Sequence, residues 1–376
     1  MKKKTTLFFI SLMLFLSFFT MQTITDTETK IDIEVLNKRI QEIYNIKCKC
    51  QMVGDWKDLK QHYDVSRKYA QWSFEHEAKR IKYLNDWSRD RGIKFTNIRS
   101  EVDLKKVRDK GEMQLLSLEE TYHFDYIYED DLDKKINSFK VFLKHSVGLV
   151  NKDGKWLITR DWYSDCFENA LDSYSGIHIG MPGITETDEL ETADIIKESS
   201  FQKYNRQKAA EYADKYWVNY NTKYKNCNGI GGDCTNYVSQ CLGDKEEGGG
   251  IAFDGSWFCV YPKHGRAEGS KAFVNTDAFK GYLVYSGRGR VIKRGDFKEV
   301  SKPTDDSAIG AAGKLQIGDL ICYEEKGQID HFSIITELDS MGYPMINSHT
   351  VERYHVPFDL GWQGKHIKFH LIRITY

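Results

Sequence analysis

The residues best suited to do chemistry in this chain are Cys234 and His331. Cys234 stands in Gly231-Gly232-Asp233-Cys234-Thr235-Asn236-Tyr237-Val238-Ser239-Gln240-Cys241-Leu242, after two glycines and an acidic residue, at the expected first turn of a helix. Free backbone amides and the positive end of the helix dipole favour a thiolate there, and a thiolate can attack an amide. Asp233 is placed to cap the helix, while the glycines leave the backbone open to a substrate carbonyl. Further along, Asp330-His331-Phe332-Ser333-Ile334-Ile335 opens a strand, and an imidazole there suits a general base. Each residue alone also has an ordinary structural use, since free cysteine is commonly buried and histidine has many roles. Their occurrence together carries the weight.

The elements that must position them follow from periodicity. Alternation puts His331, Ser333 and Ile335 on one face of the strand and Phe332, Ile334 and Thr336 on the other, with small Ser333 leaving room for a neighbouring helix. A turn over Leu338 to Gly342 returns the chain as Pro344-Met345-Ile346-Asn347-Ser348-His349-Thr350. Hairpin counting brings Asn347 or His349 across from His331, where either could accept the imidazole N–H and fix its tautomer. A helix is expected over Tyr204 to Trp217, and strands at 319–323, 331–337, 343–348 and 365–375.

The segments YNRQKAAEYADKYW, GGDCTNYVSQCL, the glycine run Gly248-Gly249-Gly250, SKAFVNTDAFKGYL, IGDLICYE, DHFSIIT and INSHT occur in the order seen in a bacterial amidase domain family, which the stretch from Phe201 to Val356 resembles. That family is itself similar to the papain-like NlpC/P60 cysteine peptidases. The resemblance implies an α+β fold whose cysteine-bearing helix packs on an antiparallel sheet, with Cys234 as nucleophile, His331 as base and an orienting residue at the end of the next strand. His349 matches that last role better than Asn347, and Asn228 is the counterpart of an upstream oxyanion-hole amide. It also implies a peptide amide as substrate. Ile251-Ala252-Phe253 stands where the family commonly carries a Pro-Met pair, which bears on substrate contacts more than on chemistry.

The rest of the chain sets the context. With 376 residues and a formal net charge of -1, two domains are expected and nothing in the charge favours a nucleic-acid partner. Lys2, Lys3 and Lys4 precede an apolar run from Leu7 to Phe19, the layout of an export signal or an uncleaved membrane anchor over residues 1–30. The bulk of the chain is therefore expected outside the cytoplasm, secreted or on the outer face of the membrane or cell wall, which points to peptidoglycan as substrate. Residues 31–170 read as helices followed by strands, an accessory module whose DGKWLI ending resembles cystatin-like or nuclear-transport-factor-like (NTF2-like) modules. Lys152-Asp153-Gly154 there predicts a tight hairpin turn. Residues 171–200 lose periodicity and read as a linker, and 201–376 form the amidase-like domain. The eight cysteines lack the spacing of a disulfide scaffold and read as buried or incidental thiols. No cofactor is implied, and Cys322, His349, His355, His366 and His370 lack the compact spacing of a metal site. Gly287-Arg288-Gly289-Arg290 reads as a surface turn. The rival reading is a noncatalytic wall-binding or scaffold protein that keeps the fold without turnover.

Overall fold

The computed structural model describes residues 33–171, 173–174, 204–262, 264–364 and 366–376; the expected leader and nearly all of the expected linker lie outside the described residues. The helical pattern of the first half becomes α1 (Ile33–Val53) and α2 (Lys68–Arg91). α2 stops at Gly92, which takes a left-handed conformation (φ 67°) and returns its N–H to the carbonyls of Ser88 and Arg89. Four strands follow as an antiparallel meander, β1 (Ile93–Lys110), β2 (Met113–Tyr128), β3 (Asn137–Lys152) and β4 (Lys155–Trp162). The predicted hairpin is there: Lys152 pairs with Lys155, and Asp153 and Gly154 both have positive φ, 52° and 82°. That is the backbone a two-residue turn needs to match the strand twist.

The second half holds α3 (Arg206–Tyr216), α4 (Cys234–Gly243) and α5 (Thr276–Tyr285), the short pair β5 (Cys259–Val260) and β6 (Glu268–Gly269), and six longer strands. These are β7 (Gly289–Gly295), β8 (Leu320–Glu325), β9 (Gln328–Leu338), β10 (Pro344–Ser348), β11 (Glu352–Pro357) and β12 (Ile367–Ile374). α3 and α5 are started by asparagines, Asn205 accepting from the Lys208 N–H and Asn275 from the Ala278 N–H.

All of these strands except β5 and β6 join one antiparallel ten-stranded sheet, in the order β1-β2-β3-β11-β10-β9-β8-β12-β7 with β4 also on β3. β3 divides its edge between two partners: Lys140, Val141 and Phe142 pair with Tyr354, Arg353 and Glu352 of β11, and Ser146 to Lys152 pair with β4. The protein is thus a mixed α+β structure built on a large antiparallel sheet. Residues 39–376 form one compact unit; the other unit, residues 1–38, is described only over Ile33–Lys38, the first turns of α1.

Two cores use opposite sets of side chains from the same strands. Ile321, Tyr323, Ile335, Phe369 and Leu371 enter a core shared with Trp87, Tyr122, Phe124 and Val141 of the first half. Leu320, Cys322, Phe332, Ile334 and Ile372 enter a second core with Tyr212, Tyr237, Val238 and Cys241 of α3 and α4. Period-two alternation on a sheet covered on both faces accounts for this division.

The structure corrects two expectations here. Gly289 and Arg290 are not in a surface turn; they open β7, opposite Ile374 and Arg373, and the turn is made by Gly287 at φ 72°. β11 was not expected at all: its sequence is charged, it is broken by a left-handed His355 (φ 52°), and its outer partner β3 is far away in sequence.

Candidate functional site

α4 starts at Cys234, and its side chains pack on β9 through Tyr237, Val238, Phe332 and Ile334. The Cys234 thiol is buried, and the Thr235 hydroxyl lies 3.8 Å from its sulfur. Burial pushes the thiol above its ordinary value; the Phe332 N–H, then the hydroxyl and N–H of Thr235, pull it down, and the Asp330 carboxylate adds to the rise. Desolvation therefore outweighs the helix-start environment, and the resting group is a thiol rather than the thiolate expected at this position.

Asp233 does not cap α4. Its backbone (φ -114°, ψ 0°) lies outside the extended region from which a cap side chain reaches the first-turn amides, and no such bond forms. Instead, Oδ1 accepts from the Cys227 N–H at 2.7 Å and the Asn236 amide at 2.8 Å, and Oδ2 lies 2.7 Å from Nδ1 of His349. The loop is also tied from outside, because the Asp233 N–H donates to the Thr350 hydroxyl at 2.9 Å. Gly232 (φ 102°) passes so close to that hydroxyl that a Cβ would sit 3.0 Å from it, so glycine is required there on both counts.

His349 is the centre of this arrangement. Its ring is stacked between Tyr220 and Tyr237, at centroid distances of 4.0 and 3.8 Å, and Nε2 lies 2.8 Å from the Tyr216 carbonyl. Each ring nitrogen thus faces an oxygen, which fixes the imidazole between the end of α3 and the loop before Cys234. The side chains of His349 and Asp233 are almost fully buried.

His331 is placed differently. Its ring packs against Tyr323 and Trp362, at 5.6 and 5.3 Å, and its Nε2 is buried without a hydrogen-bond partner. Burial, then the Arg353 guanidinium, then His349 push its pKa down to about 3, so the imidazole is neutral at ordinary pH. The structure brings Cys234 beside the amide of Phe332, but α4 packs on the Phe332 and Ile334 face of β9, while His331 and Ser333 share the face of Tyr323; the expectation that the helix would lie over His331 and Ser333 is overturned. Among the described residues, no hydrogen bond joins His331 to Cys234, Asn347 or His349.

The expected orienting bond is absent for a reason of register. Asn347 pairs with Ile334, three positions from His331, and the one-residue shift between Met345 and Ile346 does not close that gap. Asn347 is fully occupied there, donating to Asp214 at 2.9 Å and accepting from the Thr336 hydroxyl at 3.0 Å and the His355 N–H at 2.7 Å. His349 is occupied by Asp233 and Tyr216. Asn228 is exposed, at the start of a short 3₁₀ turn (Asn228–Ile230), with its amide donating to the Tyr220 hydroxyl. Sequence reasoning missed the Asp233–His349 pair and its two tyrosines. The only signal for it was the polar residue directly before Cys234, which also reads as a cap. Among the described residues, no cluster of three or more His, Cys, Asp or Glu side chains is arranged to hold a metal.

Residues 203–372 match the family model described as "putative amidase domain". The amidase-domain match takes in Asn228, Cys234, His331, Asn347 and His349. A protein of Bacillus subtilis described as "Uncharacterized protein YhbB" is 28% identical over 186 residues, which are 47% of this chain and 51% of that protein. The chain thus spans about half the length of this curated relative. Among solved structures, a putative dehydratase from the NTF2-like family of Streptomyces avermitilis is 9% identical, over 35% of this chain and 97% of that one, with a TM-score of 0.25. A putative scytalone dehydratase from Novosphingobium aromaticivorans is also 9% identical, over 35% and 84%, with a TM-score of 0.24. Scores this low carry no argument about the amidase domain or about the first half of the chain.

Proposed function

We propose that this protein is a cysteine-dependent amide hydrolase that forms an acyl-enzyme at Cys234. The observation that supports this reading most is the convergence of the Phe332 and Thr235 N–H groups and the Thr235 hydroxyl on the Cys234 sulfur, inside a stretch that matches an amidase domain. These groups favour negative charge on sulfur once a substrate arrives. His331, neutral and with Nε2 unpartnered, is the base; because its ring packs with Tyr323 and Trp362 on the face of β9 opposite α4, taking the thiol proton as sulfur attacks the carbonyl requires the start of β9 to rearrange and present the imidazole to Cys234. The imidazolium then gives that proton to the leaving amine as the C–N bond breaks. In the second half, His331 takes a proton from water, hydroxide adds to the thioester, and the acid leaves as the proton returns to sulfur. Asp233 and His349 hold the loop that presents Cys234. On this reading the second half is a papain-like domain of the NlpC/P60 kind.

The leader-like segment, with its three lysines and apolar run, supports export, and export together with the amidase resemblance supports cell-wall peptides as substrate. One observation favours the rival scaffold reading: the thiol is buried and shares no hydrogen bond with His331. Digestion of purified peptidoglycan, read by mass spectrometry for the wild type and Cys234→Ala, separates the two. Released peptides that depend on Cys234 are expected; identical product profiles would remove the hydrolase assignment.

A further inference from the structure

On the sheet, away from Cys234, lies a cavity of about 240 Å³ lined by β2, β3 and the ends of β9 and β11. In volume it equals about eight water molecules, below the range of drug-sized pockets. Two of its charged groups, Lys140 and Asp125, have no ion-pair partner among the described residues. Arg99 donates to Nδ1 of His123 at 3.0 Å, which leaves the ring proton on Nε2. That Nε2 is buried without a hydrogen-bond partner, although Glu101 stands 3.4 Å away, and His123 as a whole is 8% exposed. Lys140, directly across from His123 on β3, makes no ion pair among the described residues; its ammonium lies 5.5 Å from the centre of the Tyr354 ring. Asp125 accepts from Asn97 at 3.0 Å and Ser138 at 2.6 Å, and among the described residues no cation neutralises it.

The opposite wall is held rigidly. His355 is fixed between Asp214 at 2.8 Å and Glu337 at 2.6 Å, in a left-handed backbone conformation that a non-glycine residue keeps only when its surroundings impose it. Asp125 on β2 and Lys140, which stands across from His123 on β3, are thus offset by two residues, about 7 Å along the strands. The termini of an extended dipeptide are also about 7 Å apart.

We propose that this cavity binds a dipeptide with free termini, its ammonium on Asp125 and its carboxylate on Lys140. The site is separate from the hydrolytic one, and its occupancy does not depend on turnover at Cys234. The test is calorimetric titration of the full chain carrying Cys234→Ala, so that no probe is consumed. The probes are glycylglycine, N-acetylglycylglycine and glycylglycinamide.

Glycylglycine is expected to bind, and each blocked form to bind about tenfold or more weakly, the loss expected for one charged hydrogen bond. Asp125→Asn should weaken glycylglycine by a similar factor and leave the N-acetyl probe unchanged; Lys140→Met should do the same with respect to the amide. The comparison among probes on one protein does not depend on how either variant folds. No binding of glycylglycine, or equal affinity for all three probes, would overturn the proposal.

Discussion

His331 offers the sharpest test of the site, because its burial has a consequence for the whole fold. A neutral imidazole held at about 3, against an ordinary value of 6.5, means that the unfolded chain binds a proton that the folded chain refuses between those pH values. Stability therefore rises with pH across this window and is lost as the pH falls from 6.5 towards 3. Between about pH 7.5 and pH 5 the unfolded state gains roughly one and a half tenfold steps of proton binding, worth about 2 kcal/mol. Other histidines titrate in the same range, so the quantity to measure is a difference. Urea unfolding of the wild type and His331→Gln at both pH values should show the wild type losing about 2 kcal/mol more than the variant on acidification. Parallel losses would mean that His331 is protonated or solvated in the folded state. The reasoning about its burial against Trp362 and its unpartnered Nε2 would then fail.

Three further outcomes follow from the same geometry. Alkylation of Cys234 by iodoacetamide should accelerate as pH rises through and beyond the ordinary thiol range, because burial holds the thiol up; a rate already at its plateau near neutral pH would indicate a thiolate–imidazolium pair instead. Asp233→Asn disturbs the buried carboxylate that meets the Cys227 N–H, the Asn236 amide and Nδ1 of His349, and should cost about 1–3 kcal/mol in denaturant unfolding, whereas an unchanged midpoint would show that these bonds carry no stability. His355, raised to about 9 against burial by bonds from Asp214 and Glu337, contributes stability that is complete below 6.5 and disappears as pH rises through 9. His355→Gln should flatten the fall in melting temperature over that range, and with both carboxylates partly exposed the effect should be near 1 kcal/mol.

Much of the fold can be read locally. The Asp153-Gly154 turn, the α2 and α3 helices, and strands β8, β9, β10 and β12 each declare themselves within a few residues, through turn chemistry or periodicity. What escapes is whatever depends on distant partners. β11 has neither alternation nor β-branched density, and exists because β3 offers it an edge. The same limit applies at the site. Cys234, His331 and His349 stand out in the sequence as candidates, but their couplings do not. The pairing register set Asn347 opposite Ile334, three positions from His331, and the backbone of Asp233 turned its carboxylate from the helix amides to an imidazole ring. Side-chain partners that lie across a loop leave no periodic trace in a sequence.

The shared edge of β3 has a consequence for anyone who would study the amidase-like half by itself. Cutting the chain before Arg206 would strip β11 of its neighbour and leave Glu352, Arg353 and Tyr354 with open backbone groups, while β10 remained paired behind them. An unprotected edge of that kind recruits other strands, so such a fragment should self-associate or aggregate rather than behave as an isolated enzyme. The first half of the protein thus serves as the lateral cap of the second.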